Sequence, residues 1–217
     1  MTSMSVDYIA PHWANAALVT IDLQVDFAEG GAGAIPGTTA VLPAVRRLAA
    51  GFRRAGLPIV HMIRLYVPGG ADVDPPRRAF VAAGGQLVAP GTAGSALLPG
   101  VTGDSGPFAL DAAELLAGRA QSVRTAEIVL FKPRWGAFYR TDLEERLREA
   151  GVDTVVVAGC NLPNCPRATV FEASERDFRT VLPVDAISQV TAERVTDLAR
   201  IGVATLTVDE ILAGLPS

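Results

Sequence analysis

The 217 residues are 49% hydrophobic and carry a formal net charge of −4, with no long block of one sign. That length fits one large α/β domain better than two small ones. The apolar content excludes a disordered chain, the absence of a basic stripe excludes a nucleic-acid footprint, and no apolar run is long enough to span a bilayer.

Residues 1–15 mix Asp7, His12 and polar side chains without a signal-peptide pattern. They read as an N-terminal extension, and a soluble cytoplasmic protein is expected. Residues 16–21 (AALVTI) have a buried-strand pattern that ends at Asp22. The run 30–37 (GGAGAIPG) lacks the G-x-G-x-x-G spacing and reads as a loop rather than a dinucleotide cradle. Residues 43–55 form an amphipathic helix, with Val45, Leu48, Ala49 and Phe52 on one face and Arg46, Arg47, Arg53 and Arg54 on the other. Gly56 stops it, and 57–63 (LPIVHMI) is a second strand, with Pro58 tolerated near its start.

From 68 to 106 the chain is rich in Gly, Pro and Ala and reads as a long surface excursion with a short helix near 77–83. Loops this long are usually functional, so it is assigned to substrate enclosure or oligomer contact. Residues 127–131 (EIVLF) are a third strand running into Lys132. A helix over 142–150 has Thr141 as its expected N-cap and Glu144 at capping-box spacing. Then follow a strand at 154–158 closed by Gly159, a helix at 166–178, a strand at 180–184 and a helix at 192–201. A strand at 204–207 and a helix at 209–213 complete the chain.

Strands that alternate with helices and are continuous apolar runs imply a single three-layer α/β/α domain over 1–217, with a central, mostly parallel sheet of six strands. Such sheets bind ligands beyond the carboxyl ends of their strands. Asp22, Lys132 and the loop carrying Cys165 each follow directly on such an end, so three chemically distinct groups converge on one edge.

The only cysteines, Cys160 and Cys165, lie in one short segment, which is no disulfide framework. Pro166 suits a first helical position, which makes Cys165 the expected N-cap. There, helix-terminal N–H groups would lower the thiol pKa and hold a developing oxyanion. The alternative for Cys165 is a small buried hydrophobe. Asp22 is either a base for that thiol or a turn cap. Of the 19 basic residues all but Lys132 are Arg, so Lys132 marks either a site needing a compact ammonium or a chance survivor on the surface.

The stretch D-x-Q-x-D-F from Asp22 to Phe27 resembles the opening of the isochorismatase-like cysteine hydrolases. FKPRWGAFYRTDL, from Phe131 to Leu143, resembles that family's K-x-R-x-S-A-F-x-x-T-x-L, with Gly136 in place of the common Ser. The spacing of six from Gly159 to Cys165 is kept, although the loop reads CNLPNC where many members have V-A-T-N-V-C. The resemblance implies a triad of Asp22, Lys132 and Cys165. It also implies a cis peptide at Cys160–Asn161 that aims the N–H groups of Asn161 and Cys165 into an oxyanion hole. Gln24, Phe27 and Trp135 fall where members line the pocket, and a homo-oligomer, dimer or tetramer, is implied.

The activity implied is cleavage of a C–N bond in a small amide, ureido or lactam compound through a thioester on Cys165, with no cofactor. Nicotinamidases carry an additional site of Asp and several His. With only His12 and His61 in the chain, and His61 inside a strand, no metal is expected. Cys160 and Cys165 make C-x4-C without the further ligands that structural zinc requires. A vinyl-ether hydrolase is one alternative, which needs an acid but no thiol; a non-catalytic binding protein on the same fold is another.

Overall fold

The computed structural model describes residues 7–69, 72–104 and 108–216. Parts of the N-terminal extension (1–6) and of the 68–106 excursion (70, 71, 105 and 106) lie outside the described residues. The elements run β1 (Ala16–Ile21), α1 (Thr38–Arg54), β2 (Ile59–Ile63), α2 (Pro75–Ala82), α3 (Ala112–Leu116), β3 (Gln121–Arg124) and β4 (Glu127–Phe131). They continue as α4 (Leu143–Glu149), β5 (Thr154–Gly159), α5 (Cys165–Ser174), β6 (Arg179–Pro183), α6 (Ala192–Arg200), β7 (Ala204–Leu206) and α7 (Val208–Gly214).

The sheet is ordered β3-β4-β2-β1-β5-β6-β7. Every pairing is parallel except that of β3 with β4. The six expected strands are present and parallel, and a seventh, β3, is added at the edge. Alternation along the central strands divides the core. Ala16, Leu18, Val156 and Ala158 face α1 and α7, packing on Leu48, Phe52, Val208 and Ile211. Ala17, Val19, Val155 and Val157 face α4, α5 and α6, packing on Leu147, Val170 and Leu198. β1 and β5 are buried along their whole length, which is why they are apolar except at Thr20 and Thr154. Among the described residues no helix is long and apolar enough to cross a membrane.

Three local expectations are corrected. α1 begins at Thr38, not at 43, and Pro43 lies within it. A single Pro that early removes one helical N–H, and the buried Leu42, Val45, Leu48, Ala49 and Phe52 hold the helix across it. Asp142, not Thr141, precedes α4. The Thr141 hydroxyl donates to the Ala137 carbonyl at 2.6 Å and accepts the Leu143 N–H only at 3.4 Å, and Glu144 pairs with Arg176 at 3.0 Å. A full capping box forms at α7, where the hydroxyl of Thr207 accepts from the Glu210 N–H and the Glu210 carboxylate accepts from the Thr207 N–H.

The 68–106 segment also proves less superficial than a surface excursion. It holds α2, and Val73, Val81, Leu87 and Val88 pack with Phe27, Tyr66 and Cys160. The Val88 N–H donates to Asp26 Oδ2 at 2.6 Å, and Gln24 bridges to Leu97. The segment therefore lies over the carboxyl edge of the sheet, next to the β1 and β5 ends.

Candidate functional site

β1 leaves the sheet at Asp22, whose backbone turns into the left-handed region at φ 52°, a conformation that Asp tolerates better than most residues. Its N–H donates to the Met62 carbonyl at 2.9 Å, so the turn is fixed by β2. β4 leaves at Lys132, whose N–H donates to the Ile63 carbonyl at 3.0 Å. The Lys132 side chain runs inward, fully buried, and Nζ donates to Asp22 Oδ2 at 2.9 Å and to the Arg134 carbonyl at 3.3 Å. Asp22 Oδ1 is buried and has no hydrogen-bond partner among the described residues.

β5 ends at Gly159, in register with Ile21. A side chain there would place Cβ 2.3 Å from the Ile21 carbonyl oxygen, and its φ is +115°, so only glycine lets β5 close against β1. The following loop is tied back by Cys160 N–H to the Ile21 carbonyl and Leu162 N–H to the Ser188 carbonyl, each at 3.0 Å. The Cys160–Asn161 peptide is cis. The N–H groups of Asn161 and Cys165 have no acceptor among the described residues. Cys165 is the first residue of α5 and Asn164 the residue before it, which corrects the expected N-cap by one position.

Asp22, Cys165 and Asn161 all border one cavity of about 330 Å³, together with Phe27, Trp135, Arg64 and Arg77. Lys132 sits behind Asp22, out of the cavity. Trp135 is 41% exposed, at the mouth, while Phe27 is buried in the wall. Gln24 does not border the cavity, contrary to expectation: its amide is consumed by backbone groups. Nε2 donates to the Arg64 and Ser95 carbonyls and Oε1 accepts from the Arg64 N–H, all at 2.8 Å. Gln24 thus pins the segment after β1 to those after β2 and α2.

The thiol also departs from expectation. Burial pushes the Cys165 pKa up to about 12; the neighbouring Asp22 charge adds to this and Lys132 opposes it. Its position at a helix start does not outweigh the loss of water and the facing carboxylate. Cys160, more deeply buried, is raised for the same first reason, and its thiol donates to the Asp22 carbonyl at 3.3 Å.

Several cavity residues were not singled out from the sequence. Arg64 follows β2 as Asp22 follows β1, so the strand-end rule would have found it. Its guanidinium is buried, donating to the Lys132 and Asp72 carbonyls and to Asp74 Oδ2, the last at 3.0 Å. Tyr66 donates to the same Asp74 oxygen at 2.7 Å, and burial raises its pKa and keeps it neutral. This network joins the β2 and β4 ends to the start of α2.

Neither histidine reaches the cavity. His12 Nδ1 lies 2.7 Å from Asp153, and His61 is buried between Thr20 at 2.7 Å and Glu127 at 2.9 Å. Among the described residues no three His, Cys, Asp or Glu side chains cluster as metal ligands would. At the position of the family Ser, Gly136 lies against the Glu172 carboxyl group. A Cβ at Gly136 would fall 2.2 Å from the Glu172 carboxyl group, which accepts the Phe138 N–H at 2.8 Å.

The model of the isochorismatase domain matches residues 16–114 and 113–208. A protein of Arabidopsis thaliana named a probable inactive nicotinamidase is 31% identical over 93% of this chain and 97% of its own. Among solved structures, an isochorismatase family protein from Desulfovibrio vulgaris superposes with a TM-score of 0.76 at 28% identity, covering 92% of this chain and 98% of its own. The N-carbamoylsarcosine amidase of Thermoplasma acidophilum does so with a TM-score of 0.69 at 26% identity, covering 90% of this chain and 97% of its own. On these matches, and on the carboxyl-edge site just described, the chain belongs to the isochorismatase family of hydrolases.

Proposed function

We propose that this hydrolase cleaves a C–N bond of a small amide, ureido or lactam compound, with Cys165 as nucleophile, Asp22 as proton carrier and Lys132 as its counter-charge. The observation that carries this reading is the Asp22 carboxylate: one oxygen is held by Lys132 at 2.9 Å, and the other is buried without a partner on the cavity that Cys165 borders. A buried acceptor left empty is costly unless a donor arrives. The Cys165 thiol is such a donor.

Because the resting thiol is protonated, attack and proton transfer go together. Asp22 Oδ1 takes the thiol proton as sulfur bonds to the carbonyl carbon. The oxyanion that forms is received by the N–H groups of Asn161 and Cys165, which lack acceptors at rest. Collapse returns the proton from Asp22 to the departing nitrogen and leaves a thioester. Water, losing a proton to Asp22, then hydrolyses that thioester and frees the acid. Lys132 keeps the carboxylate aimed throughout, and Phe27 and Trp135 supply apolar walls for the substrate. The amidase named among the structural relatives supports the reaction class, though not its substrate.

A second reading, a non-catalytic binding protein, is favoured by the relative named as probably inactive. Amine release from a panel of small amides, with Cys165→Ala as control, separates the two. Turnover that the substitution abolishes, with an acyl group on Cys165 seen by mass spectrometry, supports the amidase. No turnover of any member by the wild-type protein overturns it.

A further inference from the structure

The loop from Gly159 to Cys165 is fastened by the turn that follows β6. Three backbone bonds join them: Gly159 N–H donates to the Ala186 carbonyl, Ser188 N–H to the Gly159 carbonyl and Leu162 N–H to the Ser188 carbonyl, each at 3.0 Å. One side-chain bond is added, from Asn161 Nδ2 to Gln189 Oε1 at 2.9 Å. Gln189 is itself held. Its backbone lies in the left-handed region at φ 59°, and its carbonyl accepts from Arg194 Nη1 of α6 at 2.7 Å. A residue other than glycine stays in that region only where its surroundings enforce it. The described residues that border the cavity include Asn161 but not Gln189, so a substrate meets Gln189 only through Asn161.

We propose that Gln189 is a positioning residue: through the Asn161 side chain it keeps the Asn161 N–H aimed at the developing oxyanion. This rests on the amide-hydrolase reading above and adds a residue to that same site. The Asn161 N–H has no acceptor at rest among the described residues, so its direction is set by the atoms around it. On one side the Cys160 N–H is tied to the Ile21 carbonyl at 3.0 Å; on the other the Asn161 carbonyl accepts the Asn164 N–H at 3.0 Å. Two anchors leave the intervening backbone free to rock about the line that joins them. The bond to Gln189 is a third anchor, off that line, and it stops the rocking. A donor fixed before charge develops stabilises the oxyanion without reorganising during the reaction. The anchor belongs to this chain's own loop: Asn161 stands where V-A-T-N-V-C has Ala, whose methyl group cannot make such a bond.

The test compares Gln189→Gly, Asn161→Ala and the double variant on an amide that the wild-type protein hydrolyses. Glycine removes the side chain and suits a φ of 59°, so the urea midpoint of Gln189→Gly should stay near wild type. Its kcat is expected to fall by about 10- to 100-fold with KM within about twofold, because only the transition state uses the N–H. Asn161→Ala should cost about as much, and the double variant no more than either alone, since both remove one bond. Gln189→Glu keeps an acceptor for Asn161 Nδ2 and should recover most of kcat. An unchanged kcat in Gln189→Gly, a loss confined to KM, losses that multiply in the double variant, or a Gln189→Glu protein as slow as Gln189→Gly overturns the proposal and leaves the amidase reading standing. No turnover of any amide by the wild-type protein overturns both.

Discussion

Lys132 Nζ reaches Asp22 Oδ2 at 2.9 Å across a sheet in which their strands, β4 and β1, are separated by β2. Neither residue finds its partner through a neighbouring strand; both turn inward at carboxyl ends and meet over β2. The ion pair is buried on both sides, so each charge depends on the other.

Removing one member should therefore cost stability as well as activity. Lys132→Met leaves Asp22 uncompensated and is expected to destabilise the fold by about 3–5 kcal/mol, by analogy with other broken buried pairs. Cys165→Ala should leave the urea midpoint near wild type while lowering kcat by about 10³-fold or more. A Lys132→Met protein with unchanged stability and turnover would remove both the pair and its proposed role.

The thiol pKa gives a pH dependence with a definite sign. A group titrating near 12 is almost wholly neutral at pH 8. Alkylation of Cys165 by iodoacetamide, taken as wild type minus Cys165→Ala, should climb without a plateau up to about pH 10. Asp22→Asn removes the negative charge that helps hold the proton, so it should move the profile to lower pH. A plateau near neutrality in the wild-type protein would mean a resting thiolate instead.

Far from the cavity, the opening residue of β4 controls acid stability. Burial alone would raise the Glu127 carboxyl group, but hydrogen bonds from Arg53 and His61 outweigh it and hold its pKa at about 2. His61 is lowered by its own burial. A depressed carboxyl contributes stability above its unfolded pKa and loses it as pH falls through the folded value. A depressed histidine acts in the same sense, because the unfolded chain takes up the proton first. Unfolding free energy should thus decline below about pH 6.5 and further between about pH 4.5 and 2, the Glu127 part being at most about 3 kcal/mol. Glu127→Gln, compared by denaturant titration at pH 5 and pH 2.5, should flatten the lower limb.

Gly136 and Glu172 compete for one volume. Restoring the family residue by Gly136→Ser should destabilise the chain by about 1–3 kcal/mol, the usual cost of overfilling a packed site. In combination with Glu172→Ala the loss should shrink, giving a coupling of about 1 kcal/mol in a double-mutant cycle. Strict additivity would show that the two side chains do not share the space.

What the sequence disclosed followed from burial. The parallel strands β1, β2, β4, β5 and β6 were legible because they are largely enclosed and therefore apolar, β7 was short and only partly buried at the edge, and the strand carboxyl ends located Asp22, Lys132 and Cys165. β3 was not: QSVR alternates partly buried with exposed positions at a sheet edge, so it has no apolar run to find. The amphipathic pattern placed the helix start at Pro43, yet the helix begins at Thr38 and its packing tolerates Pro43 more than one turn in. Gln24 looked like a ligand contact because it lies beside the site, but its amide serves three backbone groups. Arg64 was legible from its place at the end of β2 but was passed over, whereas the pairing of Tyr66 and Asp74 joins the β2 end to the start of α2, a contact that no local pattern encodes. The thiol pKa depended on how deeply α5 starts, which periodicity does not state.

The pairing of Ile21 with Gly159 has a consequence during synthesis. β1 is made first, but the neighbour that completes it on one side is made only after most of the chain has left the ribosome. Until then one row of its N–H and C=O groups has no native partner, on a strand whose side chains are all apolar but for Thr20. Such an edge invites pairing with other chains. A newborn copy of this protein is therefore most vulnerable to aggregation just before β5 emerges.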